Sequence, residues 1–209
     1  YMSLATATSP GSGKRALTKK ANRQAILDAA SKVFARDGYE AASIRDIIRE
    51  TSLASGTFYN YFKSKEEIFE TIAAESAKRF QPRLKIISSQ ATDLVSYFRA
   101  AYAAYFDFLV EENNVTISNG GPHRAMIGVR IDTPEIKAIS DQIRNDIENV
   151  LRITGPKHLD AGYLTAAAIG IARQMGDLML SRRPLEPEVA AAFASRLMLA
   201  GIKDFAKHV

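Results

Sequence analysis

The sequence predicts an all-α protein in two parts, a small N-terminal head of three helices followed by a longer helical body. Three observations carry this expectation. Apolar residues recur at helical spacing from about Lys19 to about Lys207. Helix-starting residues stand before the apolar runs, and glycine or proline stands after them. No stretch alternates polar and apolar residues in the manner of a strand. A chain of 209 residues with 46% apolar and 24% charged content can bury a core of useful size.

Residues 1–17 are small, polar and rich in Gly, Ser and Pro, and read as a disordered basic arm. Within it, Pro10 to Lys14 has a superficial likeness to a phosphate loop. It fails the spacing, because Thr8 stands where glycine is needed and Arg15 follows the lysine. Residues 18–64 form the head and residues 65–209 the body.

A first helix is expected from Lys19 to Arg36, with Thr18 as N-cap and Gly38 as the stop. Ile26, Ala29, Ala30, Val33 and Phe34 give it one apolar face. A second helix spans Ile44 to Glu50, and Ser43 with Asp46 three residues on suggests a capping box. A third helix is expected from Ala54 to Tyr61. Ser64-Lys65-Glu66-Glu67 opens a fourth, which carries Ile68, Phe69 and Ile72 and is expected to end or kink at Pro82.

Further helices are expected over about Thr92–Glu111, His123–Val129, Pro134–Arg152, Leu159–Ser181 and Glu188–Lys207.

The second and third helices, joined by Thr51-Ser52-Leu53, have the proportions of a helix-turn-helix. The third is short enough to enter a major groove end-on. It offers Ser55, Thr57, Tyr59, Asn60 and Tyr61 between the inward-facing Leu53, Phe58 and Phe62.

Charge placement agrees with a polyanionic partner for the head. Residues 1–80 hold 13 Lys and Arg against 9 Asp and Glu, whereas residues 81–209 hold 15 against 14. Lys14, Arg15, Lys19, Lys20 and Arg23 meet no acid before Asp28.

Several classes of function lose support. Cysteine is absent, which removes disulfides, thiol catalysis and Cys-type zinc sites. His123, His158 and His208 are far apart and lack metal-ligand spacing. There is no nucleophile elbow and no dinucleotide fingerprint, so no enzyme activity and no cofactor is expected. No apolar run reaches membrane-spanning length and no secretory leader is visible, so a cytoplasmic location is expected.

The segments Gln24–Ala30, Val33-Phe34, Gly38-Tyr39, Ser43–Ile47 and Gly56-Thr-Phe-Tyr-Asn-Tyr-Phe-Lys-Ser-Lys65 together resemble the signature of the TetR family of bacterial transcriptional regulators. The likeness covers about residues 19–70. It depends on the Gly-Thr-x-Tyr-x-x-Phe-x-x-Lys spacing behind an amphipathic lead-in helix.

Two positions depart from the family pattern. Ser52 stands where glycine is usual in the turn, and Ala54 where serine caps the recognition helix. The first matters only if the turn needs a positive φ. The second forgoes about 1 kcal/mol of capping.

The resemblance implies that Arg45, Ser55, Thr57, Tyr59, Asn60 and Tyr61 face a DNA duplex. Thr57 and Tyr61 are expected on phosphates, Arg45 on a guanine, and Lys65 on a phosphate at the start of the fourth helix. It also implies a ligand cavity in the body. Phe98, Tyr102, Tyr105, Phe106, Met126 and Met175 are its candidate lining, with Arg130 or Arg173 as polar anchors for a small apolar or aromatic effector.

The same aromatic residues, taken without the resemblance, read first as core. The last two helices, small-residue-rich and carrying Ile169, Met179, Leu197 and Leu199, are implied as a homodimer interface; packing within one chain is the other reading. Dimerisation has independent support, because one short helix reads few bases and a two-fold dimer doubles the site.

The sequence therefore points to a ligand-responsive regulator that binds a palindromic operator as a dimer, most simply as a repressor. The alternative keeps DNA binding but gives the body only dimerisation or protein partners. A more distant reading is a helical enzyme or lipid carrier with a vestigial head.

Overall fold

The computed structural model of the chain describes residues 10–118, 133–154 and 159–205. Eight helices are described: α1 (Pro10–Asp37), α2 (Ile44–Glu50), α3 (Ser55–Phe58), α4 (Lys65–Gln90), α5 (Leu94–Ser118), α6 (Pro134–Thr154), α7 (Ala161–Ser181) and α8 (Pro187–Phe205). The described part is all helical, as the periodicity implied. The short helix expected near His123 lies outside the described residues.

Local chemistry sets most of the helix ends. Gly38 stops α1 with a φ of 80°, a left-handed conformation that only glycine adopts cheaply. At α2, the Ser43 hydroxyl accepts from the Asp46 N–H, and the Asp46 carboxylate accepts from the Ser43 N–H at 3.2 Å. This is the capping box read from the sequence. Ser64 caps α4 by accepting from the Glu67 N–H at 3.1 Å, and Glu67 in turn accepts from the Lys63 N–H at 2.8 Å. Thr133 caps α6 by accepting from the Ile136 N–H, and Asp160 caps α7 by accepting from the Tyr163 N–H.

The first correction concerns the N-terminus. Residues 10–17 are not an unstructured arm but the first turns of α1. Pro10 at the first helical position costs nothing there, since its missing N–H would have no partner. Thr18 is accordingly not an N-cap; its hydroxyl donates back to the Lys14 carbonyl at 3.0 Å.

The second correction concerns Pro82, which neither ends nor breaks α4. Pro82 and Lys78, whose carbonyl is the one deprived of a partner, are both exposed residues. Phe80, Leu84 and Ile87 are buried, and their packing carries the helix through. Apolar side chains of this size gain about 1.5–3 kcal/mol each on burial, enough together to offset a proline in a helix.

Two cores result. The head core holds Ile26, Ala30, Val33 and Phe34 of α1, Ile47 of α2, Phe58 and Phe62 of the α3 segment, and Ile68, Phe69 and Ile72 of α4. The head thus extends past the expected boundary at residue 64 into α4. In the body, α5 packs on α8 and α7, and α6 packs on α7 and α4. The body core is built on Tyr97, Phe98, Tyr102, Phe106, Ile147, Leu180 and Ala194. Through Phe80, Leu84 and Ile87 the helix α4 enters this second packing region as well. One rigid element therefore contributes to both cores.

Candidate nucleic-acid interface

The interface is built on the turn between α2 and α3. Thr51 holds that turn: its hydroxyl donates to the Ile48 carbonyl at 2.8 Å and accepts from the Leu53 N–H at 3.2 Å. Among the described residues, no residue other than glycine has a positive φ, so Ser52 fits the turn without strain. Ala54 precedes α3 with no side-chain hydrogen bond, leaving the helix start uncapped as its chemistry requires. The α-helix spans only Ser55–Phe58. Residues 59–61 continue as turns, with Tyr61 N–H donating to the Phe58 carbonyl at 2.9 Å. Phe58 and Phe62 are buried and anchor this segment to the head core.

The outward face carries the expected polar groups. Arg45, Ser55, Tyr59 and Asn60 are exposed, and Thr57 and Tyr61 are half-buried. Arg45 stands in the first turn of α2 with no ion pair among the described residues. The Tyr61 hydroxyl accepts from Asn22 Nδ2 at 3.2 Å, which ties α3 to α1 and leaves the phenolic proton available to a phosphate oxygen. Gly56 is in open space, where a Cβ would meet nothing within 4 Å. The fold therefore gathers Arg45, Ser55, Thr57, Tyr59, Asn60 and Tyr61 around one braced segment.

Lys65 is placed differently from its expected role. Its Nζ donates to the carbonyls of Tyr39 at 2.9 Å and Ala42 at 3.1 Å, with Glu40 at 3.4 Å. It also lies 4.4 Å from the centre of the Tyr39 ring. All three ammonium protons are thus directed at the α1–α2 turn, and a phosphate would have to compete with them. The Tyr39 hydroxyl donates to Glu66, and its pKa is pushed up to about 12, chiefly by burial and then by that carboxylate.

Basic residues of the α1 extension add a feature that motif reading did not place. Lys14, Arg15, Ala16, Thr18 and Lys19 line a cleft of about 750 Å³ whose other wall is Asn60 and Tyr61. A smaller cleft of about 200 Å³ lies between α4 and α6, lined by Lys78, Gln81, Pro134 and Glu135 among others. Neither is lined by the aromatic residues expected around an effector.

Those aromatic residues are brought together as packed core. Phe98, Tyr102 and Phe106 are buried and follow one another along α5 as successive near-parallel rings, 6.2 and 6.4 Å apart. The Tyr102 hydroxyl donates to the Ala168 carbonyl at 3.3 Å. Tyr105 and Met175 pack against the same cluster. Met126 and Arg130 lie outside the described residues, as do the three histidines.

An unexpected polar group sits beside the aromatic set. Asp177 Oδ1 is buried with no hydrogen-bond partner, and burial raises its pKa to about 6 despite the opposing charge of Arg173. Gly176 next to it lets α7 approach α5 closely, since a Cβ there would lie 2.6 Å from Leu109 Cδ1. Asp177 carries no motif, and its orphaned oxygen is visible only after folding.

The exposed apolar residues of the body point outward from α7 and α8. Tyr163 and Leu178 on α7, with Val189, Phe193 and Leu197 on α8, are between 48% and 82% exposed. The face expected from sequence is corrected in part. Met179 is buried and faces the core, and Leu199 is partly buried against it, whereas Leu197 faces out. No described helix is long and apolar enough to cross a membrane, and no described cluster of His, Asp or Glu has the form of a metal site.

Comparison with known proteins agrees with the geometry. Residues 26–72 match the model of the bacterial regulatory proteins of the tetR family. The fatty acid metabolism regulator protein of Bacillus subtilis is 27% identical over 99 residues, which is 47% of this chain and 51% of that protein, so the match spans about half that relative's length. The HTH-type transcriptional regulator UidR of Escherichia coli is 24% identical over 178 residues, 85% of this chain and 76% of UidR.

Among solved structures, FadR from Bacillus subtilis in complex with stearoyl-CoA shares the fold at a TM-score of 0.69 with 18% identity, covering 86% of this chain and 98% of that one. FadR from Bacillus halodurans does so at 0.69 and 18%, covering 87% and 96%. With the braced helix-turn-helix in place, residues 26–72 carry the head of the TetR family of bacterial regulatory proteins, and the chain as a whole shares the fold of regulators of that kind.

Proposed function

We propose that the chain is a ligand-responsive transcriptional regulator, a repressor that binds a palindromic operator as a homodimer in the cytoplasm and is released by a small, largely apolar effector. The observation that carries the DNA-binding part is the exposed set Arg45, Ser55, Tyr59 and Asn60, with the half-buried Thr57 beside them, held on a segment that Phe58 and Phe62 fix to the head core. Thr57 and Tyr61 position the head on phosphates, and Arg45 reads a base edge. Support for a dimer comes from the apolar stripe Val189, Phe193 and Leu197 on α8, spaced i, i+4 and i+8, beside Tyr163 and Leu178 of α7. Two heads related by a two-fold axis read two half-sites about 34–36 Å apart.

Support for the effector class comes from the apolar body and from a structure of similar fold. The body core is lined by aromatic and aliphatic side chains of α5 and α7, and a structure of the same fold was solved with stearoyl-CoA. A long-chain acyl group, free or as its coenzyme A thioester, is therefore the first ligand to try.

The mechanism is a population shift. Helix α4 carries Ile68, Phe69 and Ile72 in the head core. Its Arg79 is ion-paired with Glu112 of α5 at 2.6 Å, and Lys78 with Glu135 of α6 at 3.1 Å. A ligand that favours a displaced α5 would tilt α4 and change the spacing of the two heads.

A second reading has one observation in its favour. Phe98, Tyr102 and Phe106 are fully packed, as a body serving only dimerisation would have them.

The test is operator selection from random DNA, followed by titration of the complex with stearoyl-CoA and shorter acyl chains. Arg45→Ala is expected to relax preference at one or two positions of each half-site, a loss of about 1–3 kcal/mol of discrimination there. Unchanged base preference would overturn the role of Arg45. Operator complexes unmoved by any acyl ligand would favour the second reading.

A further inference from the structure

The N-terminal turns of α1 are built in a way the helix-turn-helix does not require. Residues 13–20 are exposed and touch no core. They carry Lys14, Arg15, Lys19 and Lys20, none of which has an ion pair among the described residues. Arg23, one turn further on, is spent differently: it pairs with Glu75 at 2.9 Å and lies over the Phe62 ring at 5.4 Å. The change from unpaired to paired cations marks where the helix stops serving the head core and starts facing outward.

The cationic turns also form one wall of a cleft. Lys14, Arg15, Thr18 and Lys19 face Asn60 and Tyr61 across about 750 Å³. Asn60 is exposed, and the Tyr61 hydroxyl acts as acceptor toward Asn22, so its O–H is not used in that bond. One side of the cleft thus supplies charge, and the other supplies neutral hydrogen-bond donors at the end of the recognition segment.

We propose that this cleft is a second DNA-binding element, which seats the phosphate backbone of the strand bordering the groove that α3 enters. The proposal rests on the DNA-binding reading above. The occupant is identified by the charge of one wall and by continuity with the recognition segment through Asn60 and Tyr61. Backbone phosphates carry no sequence information, so the element adds affinity to every duplex alike and fixes the register of α3.

The experiment uses the full chain with Lys14, Arg15 and Lys19 all changed to alanine, and a second variant with all three changed to glutamine. Both keep helix-compatible residues at exposed positions, and circular dichroism checks the helix. Dissociation constants are measured against salt for a selected operator and for a random-sequence duplex of the same length. Each phosphate contact contributes about 0.9 to the slope of log K against log salt. With at least one contact per protomer in a dimer, both variants are expected to lose about 1.8 from the slope on both duplexes. Carried over one decade below 1 M, that is about 60-fold weaker binding at 0.1 M salt.

A slope unchanged in both variants, while the wild-type chain binds the operator, overturns the proposal. So does a loss confined to the operator, which would mean that these residues read bases. So does loss of binding to anionic phospholipid vesicles with DNA binding intact. Failure of the wild-type chain to bind any duplex would instead overturn the DNA-binding reading itself.

Discussion

Replacing Lys65 with alanine is expected to destabilise the head by about 2 kcal/mol and to leave the salt dependence of DNA binding unchanged. The ammonium makes charge-assisted hydrogen bonds to the carbonyls of Tyr39 and Ala42 at 2.9 and 3.1 Å, both partly buried. Taken at the low end of their range, these contribute about 1.5 kcal/mol each. The Tyr39 ring at 4.4 Å adds about 0.5 kcal/mol. Two effects oppose them. A cation in the first turn of α4 works against the helix dipole by about 0.5 kcal/mol, and releasing a held lysine returns about 1 kcal/mol of rotamer entropy. The remainder is about 2 kcal/mol.

The assay pairs urea unfolding, with hydrogen exchange at the amides of residues 38–46, against operator titrations from low to high salt. Stability within about 0.5 kcal/mol of wild type, together with a slope smaller by about 0.9 per protomer, would refute the inward clamp and restore Lys65 as a phosphate ligand.

Three other outcomes follow from the same geometry. Ala54→Ser supplies the missing cap of α3, and should stabilise the head by about 1 kcal/mol and slow hydrogen exchange in the recognition segment; no change would mean the helix start is satisfied another way. Phe193→Glu places a charge in the middle of the exposed α8 stripe, and should shift sedimentation velocity profiles from dimer toward monomer without lowering helix content; an unaltered dimer would move the interface elsewhere.

Asp177 binds its proton more tightly in the folded state, with a pKa of about 6 against an ordinary 3.8, so stability falls as pH rises from about 4 to 6 and stays lost above that range. The full shift is worth about 3 kcal/mol, which solvent screening at this half-buried site reduces to about 1. Asp177→Asn should flatten the melting temperature against pH in that window and raise it at pH 7. Parallel curves for the two proteins would contradict the assignment.

The parts of the fold legible in the sequence are those set by neighbours in the chain. Ser43 and Asp46, Gly38, and Ser64 with Glu67 act over three or four residues, and each stands where its spacing placed it. The head motif was legible for the same reason, since its aromatic, glycine and lysine positions fall within one short stretch. What escaped depends on distance. The Lys65 ammonium finds carbonyls 23 to 26 residues earlier, and nothing in the local sequence reports that. Pro82 reads as a helix end on propensity, but Phe80, Leu84 and Ile87 share a buried face that overrides it. Met179 and Leu197 are both apolar residues on small-residue-rich helices, and only packing decides that the first faces inward and the second outward. The aromatic run on α5 fits a pocket wall and a core alike, and folding placed Phe98, Tyr102 and Phe106 in the core.

The most direct test of the account is the ratio of operator to random-duplex affinity, measured at one physiological salt concentration with wild-type chain and with a Tyr59→Ala, Asn60→Ala variant. Sequence-specific binding through the α2–α3 segment predicts a wild-type ratio of about 10³ or more, and a fall of that ratio in the variant to what Arg45 alone still reads. Equal affinity of the wild-type chain for both duplexes, or a ratio untouched by the two substitutions, would contradict it.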